Sequence, residues 1–160
     1  MIPKPRPGVP PASSPAARKR MLAAKGKDTK PELLVRSHLH RLGLRFRVQR
    51  KLLEGLRRKA DVVFGPAKVA VFTDGCFWHG CPLHATWPKL NAEFWRDKIE
   101  ANRRRDADTD ARLAEAGWLV VRVWEHEDPR EAARRIEAVV RGRRAEVCEC
   151  RLKSGGLCGR

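Results

Sequence analysis

The chain has 160 residues and is strongly basic, with 35 lysines and arginines against 19 acidic residues and a formal charge of +16. This length is typical of one domain with a hydrophobic core. The charge predicts a polyanionic partner, DNA or RNA rather than a membrane, because no apolar run approaches the roughly 20 residues of a membrane span. The N-terminus lacks the apolar segment of a secretory signal, so we expect a cytoplasmic protein with reduced cysteines.

The N-terminal part predicts a leader followed by helices. Residues 1–15 hold six prolines, which predicts a disordered leader. A short basic helical stretch is expected from Arg18. A capping-box pattern at Thr29 and Glu32 predicts a second helix, which should end at Gly43. Its inward-facing residues are expected to be Leu33, Leu34, Leu39 and Leu42.

Four apolar segments predict the strands of one sheet. Residues 44–50 alternate between apolar and polar side chains, which indicates a strand. The runs 61–64 and 69–72 are joined by a short Gly-Pro turn and predict two consecutive strands. Residues 118–124 predict a further, buried strand.

Two further helices are predicted around the last strand. A polar helix rich in Arg and Asp should span about 91–116, with Gly117 as its stop. Asp128 predicts the N-cap of a final helix that ends near Arg141, and the cysteine-containing tail from residue 145 is expected to be flexible. This order of elements predicts an α/β fold in which helices flank one mixed sheet.

Two cysteines and two histidines lie within nine residues in the middle of the chain. Thiolates and imidazoles this close predict a structural zinc site with Cys76, Cys81 and His84 as ligands. Such a site usually takes a fourth protein ligand, and His126 is the best candidate because it follows the last predicted strand. Two cysteines of the tail form a rival pair: Cys148 and Cys150.

An acidic residue opens the strand after a basic loop. Asp61 begins this strand, and Thr73 and Asp74 end the next one. Because the two strand ends of a hairpin lie side by side, Asp61 and a group from Thr73 or Asp74 are candidate ligands of one Mg²⁺. The alternative is that Asp61 pairs with Arg58 or caps its strand.

His79 is not needed for the zinc site, so it is a candidate acid or base near neutral pH. Asp106 on the long helix is a candidate to orient it. Three other carboxylates of the same helix compete for this role: Asp97, Asp108 and Asp110. Phe77 and Trp78 lie among the zinc ligands, which favours a role in stacking on bases.

Several motifs together carry a resemblance to a known family, in their order and spacing. They are Arg18 to Met21, Thr29 to Glu32, Asp61, Thr73, Gly75-Cys76-Phe77-Trp78-His79, Asn91 to Trp95, Asn102 to Asp106, and Val123 to His126. Over roughly residues 16–142 the chain resembles the very short patch repair (Vsr) mismatch endonucleases. The corresponding domain is expected to span residues 16–144.

The resemblance implies a fold similar to that of restriction endonucleases. It implies a Mg²⁺-dependent nick in one strand of double-stranded DNA, 5′ of the thymine in a T:G mismatch that arises when 5-methylcytosine deaminates. It also implies that other repair proteins act with the enzyme, which we expect to be a monomer that acts at the nucleoid.

The resemblance also implies roles for individual residues. Asp61 and the backbone of Thr73 would hold Mg²⁺, His79 would act as the general base with Asp106 as its partner, and Glu32 would lie near the active site. The DNA contacts that it implies are Phe77, Trp78, Trp95, Met21, Arg18, Lys19 and Arg20.

The chain departs from the family pattern in three places. Asp74 stands where the pattern has a histidine, the zinc ligand types are exchanged, and the tail after Arg144 has no counterpart. Two alternative functions stay open at this point. One is a restriction-type endonuclease that cuts unmismatched duplex, and the other is a non-catalytic, zinc-stabilised DNA-binding module.

Overall fold

A mixed four-stranded sheet forms the centre of the fold among the described residues. The structure, a computed structural model, describes residues 10–12, 14–23 and 26–153, and it describes no side chain at residue 20 or beyond residue 146. The elements are α1 (Pro15–Ala23), α2 (Lys30–Arg41), β1 (Arg47–Arg50), β2 (Ala60–Phe64), β3 (Val69–Asp74), α3 (Ala92–Glu115), β4 (Leu119–Trp124) and α4 (Pro129–Lys153).

The strands lie in the sheet in chain order. β1 pairs antiparallel with β2, and β2 pairs antiparallel with β3, which confirms the predicted hairpin. β4 pairs parallel with β3, so α3 forms the crossover that a parallel pair requires. The C-terminal ends of β3 and β4 therefore lie at the same edge of the sheet as the start of β2.

Helices cover both faces of the sheet. On one face, Val62 and Phe64 of β2 share a core cluster with Leu39 of α2 and Ile136 of α4. On the other face, Leu113 of α3 lies in a second cluster with the alternate residues of β2 and β3. Because side chains of a strand alternate between its faces, both clusters draw on the same strands. The predicted α/β class, with one mixed sheet between helices in a single domain, is confirmed.

The two longest helices, α3 with 24 residues and α4 with 25, carry many charged residues. Within the described part of the chain, no helix is apolar over the length that would be needed to cross a bilayer.

The inward face of α2 differs from the prediction. Leu33 and Leu34 are 51% and 40% exposed, whereas Leu39 is fully buried. The buried residues of the helix are Glu32, Val35, Arg36 and Leu39. Spacings of three and four residues put these on one face, and Glu32 forms an ion pair with Arg36 there at 2.9 Å. The prediction that Leu33 and Leu34 point inward was wrong, because this ion pair takes part of the inward face.

The predicted helix boundaries are mostly confirmed. Gly43 and Gly117 follow α2 and α3 with φ of 73° and 79°, which glycine adopts without the steric cost of a Cβ atom. Asp128 Oδ1 accepts hydrogen bonds from the N–H groups of Arg130 and Glu131, as an N-cap does. The α2 capping box is only partly formed, since its N-cap side chain makes no hydrogen bond to the backbone.

The prediction that the last helix ends near Arg141 was wrong. α4 continues to Lys153, because the residues beyond Arg141 are mostly good helix formers without a proline. The first part of the predicted tail is therefore helical. The side chains of Cys148 and Cys150 lie outside the described residues, as does Cys158.

Strand β1 is shorter than predicted. It begins at Arg47 rather than at residue 44, and Val48 is 43% exposed. Leu44, which precedes the strand, is buried. Most of the predicted leader, residues 1–9 and 13, lies outside the described residues.

The two faces of α2 can be compared by mutation. We expect Leu39→Ala to lower the free energy of unfolding by about 3 kcal/mol, because it leaves a cavity in the core. Leu33→Ala should lower it by less than about 0.5 kcal/mol, as exposed substitutions do. Urea denaturation measures both, and equal losses would contradict the orientation of α2.

Candidate active site and metal centre

The start of β2 and the end of β3 bring Asp61 and Thr73 together. The backbone N–H of Thr73 donates a hydrogen bond of 2.8 Å to Asp61 Oδ2. The side-chain amide of Gln49 donates one of 2.9 Å to Asp61 Oδ1. Both carboxylate oxygens are therefore oriented by neighbouring strands, β3 on one side and β1 on the other.

The Asp61 carboxyl has an unusual pKa. Burial raises the pKa of Asp61 to about 6, against opposing hydrogen bonds from Thr73 and Gln49, and the negative charge of Glu32 adds to the rise. Desolvation of this kind disfavours the charged form unless a cation compensates it. The position is suited to a carboxylate that binds a metal ion.

Glu32 is buried and fully hydrogen-bonded at the start of α2. Its Oε1 accepts from the Thr29 hydroxyl at 2.9 Å, and its Oε2 accepts from the Asp28 N–H at 3.0 Å and from Arg36 Nη2 at 2.9 Å. The same Arg36 nitrogen lies 3.4 Å from the backbone oxygen of Asp61. The structure thus brings Glu32 close to Asp61, with Arg36 neutralising its charge.

A histidine and a carboxylate form the second pair of the site. His79 Nδ1 lies 2.5 Å from Asp106 Oδ2. Burial would raise the pKa of Asp106, but its hydrogen bond to His79 and the charges of His79 and Arg122 hold it below the usual value. An ionised Asp106 keeps the proton of a neutral His79 ring on Nδ1, which leaves Nε2 as the nitrogen that can accept a proton.

The contacts of α3 distinguish Asp106 from the other acids of the helix. Asp106 also accepts a hydrogen bond from Arg58. Asp110 binds Arg122 through both carboxylate oxygens at 2.9 Å. Asp108 is exposed, and the nearest cation paired with it is Arg112 at 4.0 Å. Of the four candidate carboxylates, the structure brings Asp106 to the histidine.

Asp74 belongs to the histidine pair rather than to Asp61. Both of its oxygens accept from Arg122 Nη1 at 2.8 Å, and its Oδ1 lies 3.7 Å from His79 Nδ1. Ligand atoms of Asp74, His79 and Asp106 lie within 4.8 Å of one another. Of the two residues predicted to join Asp61, Thr73 is the one that contacts it.

One face of α3 holds the loop that carries His79. Asn102 Nδ2 donates to the Trp78 carbonyl at 2.7 Å, and Arg103 donates to the carbonyls of His79 and Gly80. Gly80 has φ of 63°, and a Cβ atom there would lie 2.8 Å from Ile99 Cγ2. The loop can approach the helix this closely because residue 80 is glycine.

The four predicted soft ligands converge beside this loop. Cys76 Sγ lies 3.1 Å from His126 Nδ1, and Cys81 Sγ lies 3.7 Å from the same nitrogen and 3.9 Å from His84 Nδ1. All four ligand atoms lie within 4.8 Å of one another. Zinc bonds of about 2.0–2.3 Å set tetrahedral ligands about 3.3–3.8 Å apart, so the residues suit that ion.

Aromatic side chains form a wall next to the loop. Phe77 packs edge to face against Trp78 and Trp95, with ring centroids 5.1 and 5.3 Å apart. Together with Met21 of α1, they line a groove of about 530 Å³. Arg18 and Lys19 on α1 are exposed, whereas the side chain of Arg20 lies outside the described residues.

Several residues of the site were not anticipated. Trp87, 53% exposed, lines the aromatic groove as a further ring. Gln49 and Arg122 contact the acidic groups, and Arg103 holds the loop. The spacing of Asn102, Arg103 and Asp106 on one helical face was a signal for the loop contacts, but no pattern in the sequence indicated which acid Gln49 or Arg122 would meet.

Comparison with known proteins gives relatives for most of the chain. The family model described as "DNA mismatch endonuclease Vsr" matches residues 13–84. The type II nicking enzyme V.NaeI of Lentzea aerocolonigenes is 45% identical over 136 residues, which cover 83% of this chain and 80% of the relative. The type II nicking enzyme V.XorIIP of Xanthomonas oryzae is 45% identical over 109 residues, which cover 67% of this chain and 77% of the relative.

A further relative carries the family name itself. The DNA mismatch endonuclease Vsr of Escherichia coli is 41% identical over 109 residues, which cover 67% of each chain. These relatives place the protein among the DNA endonucleases. It belongs to the Vsr family, and the resemblance found in the sequence is confirmed.

The raised pKa of Asp61 predicts how stability depends on pH. The folded-state pKa of about 6 exceeds the ordinary 3.8, so the folded protein loses stability as pH rises from about 4 to 6 and regains none above. Asp61→Asn avoids this loss. In magnesium-free buffer at pH 8 we expect the variant to be more stable by about 3 kcal/mol, and this gain should vanish near pH 4. Urea denaturation across this range tests it, and a variant of equal or lower stability at pH 8 would contradict it.

Proposed function

We propose that this protein nicks one strand of double-stranded DNA at a T:G mismatch, 5′ of the thymine, by Mg²⁺-dependent hydrolysis of a phosphodiester. The observation that carries the proposal is the contact of 2.5 Å between His79 and Asp106 at the edge of the sheet where Asp61 and Thr73 meet. The names of the relatives, nicking enzymes and a mismatch endonuclease, support the cutting of one strand and the mismatched substrate.

Asp61 and the backbone carbonyl of Thr73 are the proposed ligands of Mg²⁺. Oxygen ligands suit this hard cation, and Asp61 is already oriented by two hydrogen bonds. Its raised pKa supports a position where a cation favours the ionised form. The chemistry that Mg²⁺ supplies there is neutralisation of the charge that develops on the phosphate.

His79 is the proposed general base. It takes a proton from the attacking water at Nε2, since Nδ1 faces Asp106. Asp106 orients the ring and stabilises the imidazolium that forms, as carboxylates do beside catalytic histidines. Arg58 and Arg122 in turn hold Asp106 in place. Glu32 positions the start of α2 next to Asp61.

The aromatic wall is proposed to recognise the mismatch. Phe77, Trp78 and Trp95 enter the duplex beside the T:G pair, which unstacks at lower cost than a Watson–Crick pair. Met21 lines the same groove as these rings, so α1 is proposed to contact the DNA beside them. Arg18 and Lys19, both exposed on α1, contact the minor groove beside Met21.

The soft-ligand cluster is proposed to hold a structural zinc ion. Cys76, Cys81, His84 and His126 suit four-coordinate zinc in type and spacing. Such an ion fixes the loop with Phe77, Trp78 and His79 to the residues that follow β4. The mixed sheet between helices supports the proposed restriction-endonuclease-like fold, with the catalytic domain over residues 16–144 and DNA repair in the cytoplasm as its setting.

The proposed reaction can be tested on a strand-labelled duplex with one T:G mismatch, beside its T:A control, with Mg²⁺ or EDTA. We expect a Mg²⁺-dependent nick 5′ of the thymine that Asp61→Ala abolishes and that His79→Ala slows by about 10²- to 10⁴-fold. Asp108→Ala is the matched control, since Asp108 lies exposed on the same helix as Asp106.

Each alternative function gives its own result in this assay. Equal cutting of the T:A duplex would indicate a restriction-type endonuclease. Tight binding without any cut, in several flanking sequences, would indicate a DNA-binding module.

The zinc assignment predicts one zinc ion per chain in the purified protein. Cys81→Ser should remove it and lower the Tm, because the ligand set loses a thiolate. Cys148→Ser should retain it, since the four proposed ligands do not include the tail. Metal analysis and thermal denaturation measure both effects. If the Cys148 variant loses the zinc and the Cys81 variant keeps it, the zinc ligands lie in the tail and the proposed ligand set is wrong.

A further inference from the structure

We infer that Gln49 is a positioning residue that holds Asp61 ready for its metal ion, an inference that rests on the proposed function. Gln49 Nε2 donates a hydrogen bond of 2.9 Å to Asp61 Oδ1, and the side chain is partly buried. In the register of β1 and β2, Val48 pairs with Val62 and Arg50 with Ala60, so Gln49 stands opposite Asp61.

The backbone of Gln49 is strained. Its φ is 51°, in the left-handed region that residues other than glycine and asparagine rarely adopt. The other described non-glycine residues with positive φ are Asp28, Lys68 and Asn91, which lie in turns or at helix starts. Among the described residues, Gln49 alone has this conformation inside a strand. Strain of this kind persists where the surrounding structure requires it, often at a functional site.

The type of donor is as informative as its position. A lysine or arginine opposite Asp61 would orient the carboxylate but would also neutralise it and compete with a metal cation. An amide orients Oδ1 without adding charge, and the Thr73 N–H does the same for Oδ2. Each oxygen keeps a further lone pair, so the carboxylate remains both fixed and able to bind a cation.

Three variants separate the amide from the backbone strain. Gln49→Met removes the donor and keeps the size and the strained backbone, whereas Gln49→Gly removes the donor and the strain. Lys68→Gly is the matched control, because Lys68 has φ of 49° in the turn between β2 and β3 and no contact with Asp61 among its described hydrogen bonds. Circular dichroism checks that each variant is folded.

We expect both Gln49 variants to lower kcat for nicking by about 10- to 100-fold, as loss of contacts that orient metal ligands does, with little change in KM for DNA. Both should also weaken the rise in Tm that Mg²⁺ or Mn²⁺ produces, which reports metal binding without turnover. Lys68→Gly should match the wild type in both measurements.

The outcomes distinguish a failure of the role of Gln49 from a failure of the proposed nicking reaction. Wild-type kcat and a wild-type metal-induced Tm shift in Gln49→Met would overturn the role of Gln49 and leave the proposed reaction intact. A loss in Gln49→Gly alone would also overturn it, since the backbone rather than the amide would then matter. If the wild type shows the metal-induced shift but nicks no mismatched duplex, the proposed reaction fails, and the shift in the variants still decides the role of Gln49.

Discussion

The packing of one helical face of α3 against the loop after β3 is the constraint on which the rest of the site depends. Ile99, Asn102, Arg103 and Asp106 share this face, and they contact the loop through its carbonyls, its glycine and its histidine. The same loop carries Phe77 and Trp78 of the aromatic wall and three of the four soft ligands. A shift of α3 by a fraction of a turn would therefore displace His79, the rings and the cluster together.

Charge is distributed unequally among the buried acids. Glu32 has Arg36 at 2.9 Å, Asp74 has Arg122 at 2.8 Å, and Asp106 has Arg58 and His79. Burial without pairing is costly for a carboxylate. These arginines therefore stabilise the folded protein by pairing with buried acids, rather than by binding a nucleic acid. Asp61 is held by an amide and a backbone N–H instead. Arg36, Arg58 and Arg122 thus neutralise acids inside the fold and add nothing to the net positive charge, whereas Asp61 forms no ion pair among the described contacts.

Local patterns in the sequence predicted much of this arrangement. The hairpin, the glycine stops and the spacing of Cys76, Cys81 and His84 are properties of short segments, and His126 followed from its place after a strand. The buried face of α2 could not be predicted from hydrophobicity. Glu32 is buried in place of Leu33 because it forms an ion pair with Arg36 on the inward face. The left-handed backbone at Gln49 and the contact of Arg58 with Asp106 depend on residues far apart in the chain, which periodicity does not report.

The position of Asp74 has a consequence for how the family diverges. Asp74 stands where the family pattern has a histidine, and both of its oxygens bind Arg122, which also binds Asp110. A buried aspartate without that arginine would be an unpaired charge, and the arginine without the aspartate would lose one of its two bidentate partners. The two positions should therefore change together in evolution. Relatives that carry histidine at the position of Asp74 are expected to have a residue other than arginine at the position of Arg122. The residue at one position should therefore predict the residue at the other.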